Sequence, residues 1–401
     1  MMGFGIRNKN MKKCDLITPC FIIDEKEFVN NVNCFHKELA DKFENHVIGY
    51  SFKTNSFPRL LTIAKDCNCM AEVVSEDEYE LAKKIGFSID NIIYNGPIKS
   101  RKSFVEAVEN GAVVNIDSHR ELEWIDDIDY LNYNIGLRVN FDLERKIPGQ
   151  TSTGNLGGRF GFCYENGELS QAIECLRKKR KDVNCLHMHV SNASKSTDVY
   201  RELAMMACQI IEEENLKLKY LDFGGGFFGG GDNGEHYRGY VETIYDVLHS
   251  NKLDELCIIV EPGASVIATA VSYLTKVIDV KDTTYGRFVF SDGTRLDIDP
   301  FMLKSKYNFS TSCLKENMCR NQTVCGYTCM EKDRIMSIEN GTELTAGDFI
   351  EYKTVGSYTM GFNNMFICSL PTVYSKYGNT YILVREKWGI DEFLKKNRWE
   401  I

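Results

Sequence analysis

Proline is scarce in this chain, seven in 401 residues, and no run of about 18 apolar residues occurs in it. The first shortage leaves long stretches free to form regular structure, and the second excludes a membrane-spanning helix. The opening MMGFGIRNKNMKKC lacks the apolar core of a signal peptide. Positive charge is also short, 48 lysines and arginines against 57 aspartates and glutamates. The net charge of −9 is spread along the chain, so no nucleic-acid or membrane partner is expected. These absences imply a soluble, cytoplasmic protein. There is no internal repeat, no low-complexity linker and no G-x-G-x-x-G, which discounts a nicotinamide or flavin cofactor.

Cysteine is not scarce, but its fifteen copies are scattered and odd in number. Most lie in apolar stretches such as ELCIIV and MFICSL, where a reduced cysteine serves as a small core residue. Neither Cys67 with Cys69 nor Cys325 with Cys329 forms the paired C-x-x-C knuckles of structural zinc, so no metal is expected.

A hydrophobic content of 43% allows a large core, divided between two domains. From about residue 46 to 263, apolar runs alternate with amphipathic helical stretches such as EDEYELAKKIG. Eight runs read as strands: VIGYSF (47–52), MAEVV (70–74), NIIYN (91–95), AVVNID (112–117), NIGLRVN (134–140), CLHMHV (185–190), YLDFG (220–224) and CIIVEP (257–262). This predicts an α/β architecture with a (β/α)8 barrel over 37–267, an open doubly wound sheet being the alternative. From about 270 onward the pattern is β, as in RFVFSD and DFIEYKTV. It predicts a C-terminal antiparallel β-domain closed on itself, a sandwich or small barrel, formed by 268–401 with 14–36, where CFIIDEKEF (20–28) supplies another strand. Residues 143–158, LERKIPGQTSTGNLGG, are long enough to lie over the barrel mouth.

The unusual residues cluster by position. Lys53 follows the first barrel strand, His189 lies near the end of the sixth, Gly224, Gly225 and Gly226 end the seventh, and Glu261 ends the eighth. Active sites of such barrels sit at the C-terminal face, so these residues converge there. A lysine in an otherwise apolar run marks either a wet strand end or chemistry. A glycine run is either a flexible turn or an anion cradle. His187 and His189 share one strand face, and no carboxylate or third histidine stands near them in sequence to complete a metal site. A core or ring-stacking role is favoured. Glu261 is either exposed or paired with a protonated ring nitrogen. Together a lysine, a phosphate cradle, a stacking group and such a carboxylate make the protein side of a pyridoxal phosphate site, with the lysine holding the aldehyde.

The chain resembles the barrel-type pyridoxal phosphate decarboxylases, most nearly diaminopimelate decarboxylase and more distantly ornithine decarboxylase. The likeness runs from about Thr18 to Phe362 and is carried by YSFKTN, EVVSEDE, YNGPIKS, NIDSHREL, GLRVN, GGRFGF, LHMHVSN, LDFGGGF, EPG, VCGYTC and VGSYTM. It implies that Lys53 carries the cofactor, His189 stacks on its ring, Gly224 to Gly226 and Asn192 hold it, Glu261 meets the pyridine nitrogen and Tyr358 reaches the phosphate. It also implies that Cys329, from the second subunit of a head-to-tail homodimer with shared sites, helps return a proton to the substrate carbon. The family's arginine after EPG is replaced by Ala264, its arginine before proline by Asp299 and its substrate-binding glutamate by Met330, with Glu331 or Asp333 as possible substitutes. Leu303 and Lys304 stand where ornithine decarboxylase has an acidic tyrosine–aspartate pair. The implied activity is therefore an amino-acid decarboxylase of altered specificity, for an amino acid without a distal carboxylate that Asp299 would repel. The alternatives are a racemase on the same barrel and a non-catalytic homologue that binds a partner.

Overall fold

A computed structural model describes residues 11–128, 133–231, 235–313, 317–362 and 365–398. Most of the opening stretch MMGFGIRNKNMKKC, residues 1–10, therefore lies outside the described residues. The chain divides into two compact units, Val29–Val266 and a second unit joining the segment up to Phe28 with that from Ile267 onward. The expected boundary at 36/37 falls inside helix α1 (Glu25–Ala40), which follows directly on strand β1 (Cys20–Asp24). No helix among the described residues is long and apolar enough to cross a membrane.

In the Val29–Val266 unit, each predicted strand forms: β2 (His46–Ser51), β3 (Met70–Val73), β4 (Ile92–Tyr94), β5 (Val113–Ile116), β6 (Asn134–Asn140), β8 (Cys185–His187), β9 (Tyr220–Asp222) and β10 (Cys257–Val260). Every neighbouring pair is parallel, and β10 returns to β2 with Ile258 opposite His46. This last pairing closes the barrel and excludes the open sheet. A two-residue strand, β7 (Phe162–Cys163), extends β6. The crossovers end where the sequence supplies stop and start chemistry. In α3 (Glu76–Ile85), Ser75 caps the Glu78 amide and Gly86 ends the helix at φ 97°, a conformation that costs glycine little.

The barrel interior is layered. Ile93, Val113, Cys185 and Ile259 pack together with Val47, Met70 and Tyr220 as an apolar layer drawn from seven strands. Side chains repeat every two residues along a strand, so the next inward level is reached two residues on. There stand Gly49, Glu72, Asn95, Asn115, His187, Asp222 and Glu261.

The second unit holds a nine-stranded sheet in the order β15-β14-β12-β11-β1-β17-β18, with β16 pairing β11 and β13. Its strands are β11 (Val271–Thr283), β12 (Gly286–Ser291), β13 (Asn308–Ser312), β14 (Met318–Cys325), β15 (Arg334–Thr342), β16 (Phe349–Lys353), β17 (Thr372–Tyr377) and β18 (Thr380–Arg385). The early run supplies β1 as expected. Most pairings are antiparallel, but β1 with β17 and β12 with β14 are parallel, so the sheet is mixed. Nor do its pairings close on themselves among the described residues. Instead β11, irregular between Val277 and Asp279, pairs β1 and β16 with one half and β12 with the other.

Candidate active site

Lys53 sits in the turn Phe52–Thr54 that ends β2, where the strand register aims it at the mouth. Its Nζ meets Glu72 Oε2 at 2.6 Å, and Ser51 Oγ donates to the same oxygen at 2.6 Å. Lys53 is partly exposed, 37% for its side chain, whereas Glu72 is fully buried. A buried carboxylate facing a lysine at the edge of solvent fixes the amine's direction while leaving it accessible.

Glu261 is buried at 3% exposure, which sets aside the exposed alternative. Asn95 Nδ2 donates to its Oε1 at 2.5 Å, and His187 Nε2 stands 3.5 Å from its Oε2. Donor atoms of His187, Asp222 and Glu261 lie within 4.8 Å of one another. The expectation that no carboxylate stands beside the histidines is thus corrected, because barrel closure brings in two from later strands. Burial, reinforced by the Glu261 carboxylate, pushes Asp222 well above the usual carboxylate range. Burial would raise Glu261 as well, but His187 and Lys53 outweigh it and hold its carboxyl low. The pair therefore keeps its proton on Asp222 and its charge on Glu261.

His189 lies just past β8, its ring stacked at 6.0 Å and 18° from that of His187. Gly225 N–H donates to His189 Nδ1 at 3.1 Å, so Nδ1 is the bare nitrogen of this ring. Burial, with Arg138, His187 and Lys53 nearby, pushes its pKa well below the usual histidine range, leaving a neutral plane. Gly224 has φ 64°, and a Cβ there would fall 2.4 Å from His189. Its amide is committed to Asp222 Oδ1 at 2.8 Å. Of the three expected cradle glycines, two thus spend their amides within the protein, and the Gly226 amide (φ 96°) is the one left for a ligand. Beside it, Asn192 Nδ2 is buried without a hydrogen-bond partner. An unmet donor next to an uncommitted glycine amide suits a phosphate, and the His187 ring, its Nδ1 without a hydrogen bond, beside charged Glu261 suits a polar heteroaromatic ring.

A cavity of about 1240 Å³ opens beside His189, floored by Arg138 and walled by the segment around 143–158. That segment carries helix α6 (Leu143–Lys146) and is tied down. Glu144 accepts from Thr151 N and Oγ1, and Ser152 N and Ala193 N exchange bonds with Ser191 O and Gln150 O. Arg138 Nε is buried and unpartnered.

In the other unit, Cys329 is exposed and Met330 half-buried. Tyr358 is 41% exposed at φ 55°, a strained conformation for a tyrosine. Glu331 is 90% exposed and pairs with Arg334 at 2.8 Å. Asp333 is buried and accepts from Thr294 Oγ1, Arg295 N, and Thr328 N and Oγ1. Asp299 is likewise spent inside its own loop: Arg295 donates from Nε and Nη2 at 3.0 and 2.8 Å, joined by Leu303 N, Lys304 N and Tyr307 Oη. Burial would raise its carboxyl, but Arg295 and these amides hold it below the usual range. Asp299 is thus not the free acid its sequence position suggested.

Sequence reading passed over Glu72, Asn95, Asn115 and Asp222 as site residues. Their signal was present: in strand after strand, the residue two past an inward apolar one is polar, as in MAE, IYN, VVN and YLD.

A parallel barrel with a lysine, a neutral histidine plane and a charged buried carboxylate at its C-terminal face defines a cofactor-dependent enzyme of the (β/α)8 class. The family model for the pyridoxal binding domain of pyridoxal-dependent decarboxylases matches residues 28–268, so the chain belongs to that family and is a pyridoxal phosphate-dependent carboxy-lyase. A probable chloroplastic diaminopimelate decarboxylase of Oryza sativa subsp. japonica is 26% identical over 73% of this chain, which spans 61% of that protein's length. Diaminopimelate decarboxylase of Methanocaldococcus jannaschii is 23% identical over 95% of this chain and 91% of its own. Its crystal structure superposes with a TM-score of 0.85 at 21% identity, over 96% of this chain and 92% of that one. The Paramecium bursaria Chlorella virus arginine decarboxylase bound to agmatine gives 0.74 at 20%, over 88% and 94%. These two likenesses are of fold.

Proposed function

We propose that this protein decarboxylates an amino acid that lacks the second carboxylate of diaminopimelate. The observation that carries the catalytic part is the Lys53–Glu72 pair, with Glu72 joined to charged Glu261 through the Asn95 amide. Pyridoxal phosphate, when bound, supplies a carbonyl that takes up the substrate amine and a ring that accepts the electrons released with carbon dioxide. Lys53 would hold it through Nζ, and Glu72 orients that amine and keeps a proton close to it. Glu261 would meet the ring nitrogen and keep it protonated, His189 would offer its neutral ring as a stacking plane, and Gly226 N and Asn192 Nδ2 would hold the phosphate, with Gly224 and Gly225 shaping the turn. Cys329 of a second copy returns a proton to the substrate carbon.

The specificity part rests on residues of the other unit. Where the family resemblance implies a cation before proline, this chain has Asp299, and Arg295 is paired with it at 2.8 Å. No uncommitted arginine remains in that loop among the described residues to grip a distal carboxylate. Asp299 acts by consuming Arg295 and shaping 299–307 rather than by direct repulsion. Met330 replaces an acid with an apolar side chain, and Glu331, paired with Arg334, is the acid left exposed to meet a substrate cation.

A cytoplasmic homodimer with shared sites completes the reading. Exposed Phe301 and Phe362, edge to face at 4.8 Å, and exposed Ile367 give the second unit apolar surface for a second copy. Mixing Lys53→Ala with Cys329→Ala chains should restore activity if sites are shared, and no recovery overturns sharing.

The deciding experiment measures carbon dioxide release from the holoenzyme with L- and D-amino acids, including diaminopimelate, lysine, ornithine, arginine and glutamate. Rapid turnover of meso-diaminopimelate overturns the specificity reading. An enantiomer in place of an amine makes the enzyme a racemase, and failure to gain cofactor absorbance makes the chain a non-catalytic binder.

A further inference from the structure

Asn95 occupies an unusual position in the polar layer. Its Nδ2 donates to Glu261 Oε1 at 2.5 Å and to Glu72 Oε1 at 3.1 Å, so one amide bridges two buried carboxylates. Its Oδ1 accepts from Asn115 Nδ2 at 2.8 Å. Asn115 in turn has its main-chain carbonyl bound by Lys99 Nζ at 2.9 Å, a buried amine that also holds Gly96 O and Glu121. Asn95 is 3% exposed, Asn115 1% and Glu72 0%.

The orientation of the Asn95 amide is fixed by elimination. Both carboxylates accept only, so they require its NH2 end, and Asn115 can satisfy the carbonyl end only with its own NH2. A flipped Asn95 would set a carbonyl against two carboxylates in a dry interior, which the layer does not permit. Glu72 faces Lys53, and Glu261 faces the histidine cluster on the other side. The two acids would repel one another across the barrel without a donor between them.

We propose that Asn95 is a positioning residue that couples Glu72 to Glu261, so that the protons at the lysine end and at the ring-nitrogen end of the cofactor are set together. The inference rests on the reading of Lys53 and Glu261 given above. The Asn95 side chain bonds Glu72, Glu261 and Asn115. It acts by sharing one amide between the two acids, and Asn115, anchored by Lys99, keeps that amide turned the right way.

The test uses the cofactor-loaded enzyme and two readouts other than turnover. In Asn95→Leu, the pH at which the absorbance of lysine-bound pyridoxal phosphate changes should fall by about one unit, because Glu72, without the Asn95 amide to hold it, supports the protonated nitrogen of Lys53 less well. In a double-mutant cycle on the cofactor dissociation constant, Glu72→Gln and Glu261→Gln should depart from multiplicative behaviour by about threefold or more with Asn95 present and combine multiplicatively in Asn95→Leu. An unshifted transition, or a multiplicative cycle in the Asn95 background, overturns the coupling. If Asn95→Leu does not fold, Asn115→Ala decides, with a smaller shift in the same direction expected and no shift overturning the proposal. Borohydride reduction of the unaltered holoenzyme separates the two claims. An adduct away from Lys53 overturns the lysine assignment, whereas an adduct at Lys53 with a multiplicative cycle overturns the coupling alone.

Discussion

Both units bury clusters of acids, and the two clusters are finished differently. Around Asp299 and Asp333, backbone amides, hydroxyls and Arg295 close on the carboxylates. At the barrel mouth, His187 Nδ1 and Nε2, Asn115 Oδ1, Asn192 Nδ2 and Arg138 Nε are buried without hydrogen bonds. Native interiors seldom leave so many polar atoms unmet in one place, since each costs about 1–3 kcal/mol. A satisfied cluster holds a loop in shape, and an unsatisfied one is built to be completed by a ligand. Acids that look alike in sequence thus separate by whether the polar groups around them are met.

Breaking the mouth should have the largest effect. Lys53→Ala should lower decarboxylation by about a thousandfold or more with the fold retained, as read by carbon dioxide release beside circular dichroism. Retained turnover would remove Lys53 from the site. The opposite pattern is expected in the satisfied cluster. Asp333→Ala should cost about 3 kcal/mol in denaturant unfolding, because Thr294, Thr328 and the Arg295 amide lose their common acceptor. A change below about 0.5 kcal/mol would contradict the structural reading.

A pH experiment sharpens the contrast further. Asp297, bonded by Tyr273 and close to Asp333, has its pKa pushed up to about 6 by burial, with Asp333 adding to it. A carboxyl with a raised folded-state pKa binds more protons folded than unfolded between about pH 4 and 6. Its contribution to stability is present below that window and is lost as pH rises through it. The stability difference between the unaltered chain and Asp297→Asn should therefore change by roughly 2–3 kcal/mol across pH 4 to 6, measured by urea unfolding, and stay flat above. A flat difference throughout would refute it. The smallest effect is expected at Gly224→Ala, where a methyl would meet the His189 ring at 2.4 Å. The cofactor dissociation constant should rise about tenfold with the fold retained, and an unchanged constant would show that His189 moves freely.

The barrel was legible because parallel strands and amphipathic helices alternate in a pattern few folds satisfy. The placement of Lys53, His189 and Glu261 was legible because each interrupts an apolar run at the same end of its strand. Glu72 and Asp222 were less so, since an acid inside MAEVV or YLDFG reads as an outward residue until the strand's inward face is known. The inward face becomes evident only when Val47, Met70, Ile93, Val113, Cys185, Tyr220 and Ile259 are seen as one layer. Asp299 was misread for a different reason. Its partners Arg295 and Tyr307 are near in sequence, but their use depends on a turn that wraps the chain around the carboxylate.

The sequence by itself determined the element types, the polar residue at each strand's upper level and the family to which the chain belongs, because periodicity and motif are properties of the chain alone. Pairing was decided by the tertiary structure. The β10–β2 closure sets Glu261 near Glu72 and Asn95 although their strands are far apart in the chain, and only that closure lets one asparagine amide serve two acids. A side chain's charge and hydrogen-bond state depend on what the fold places within about 3 Å of it, which no local stretch of sequence specifies.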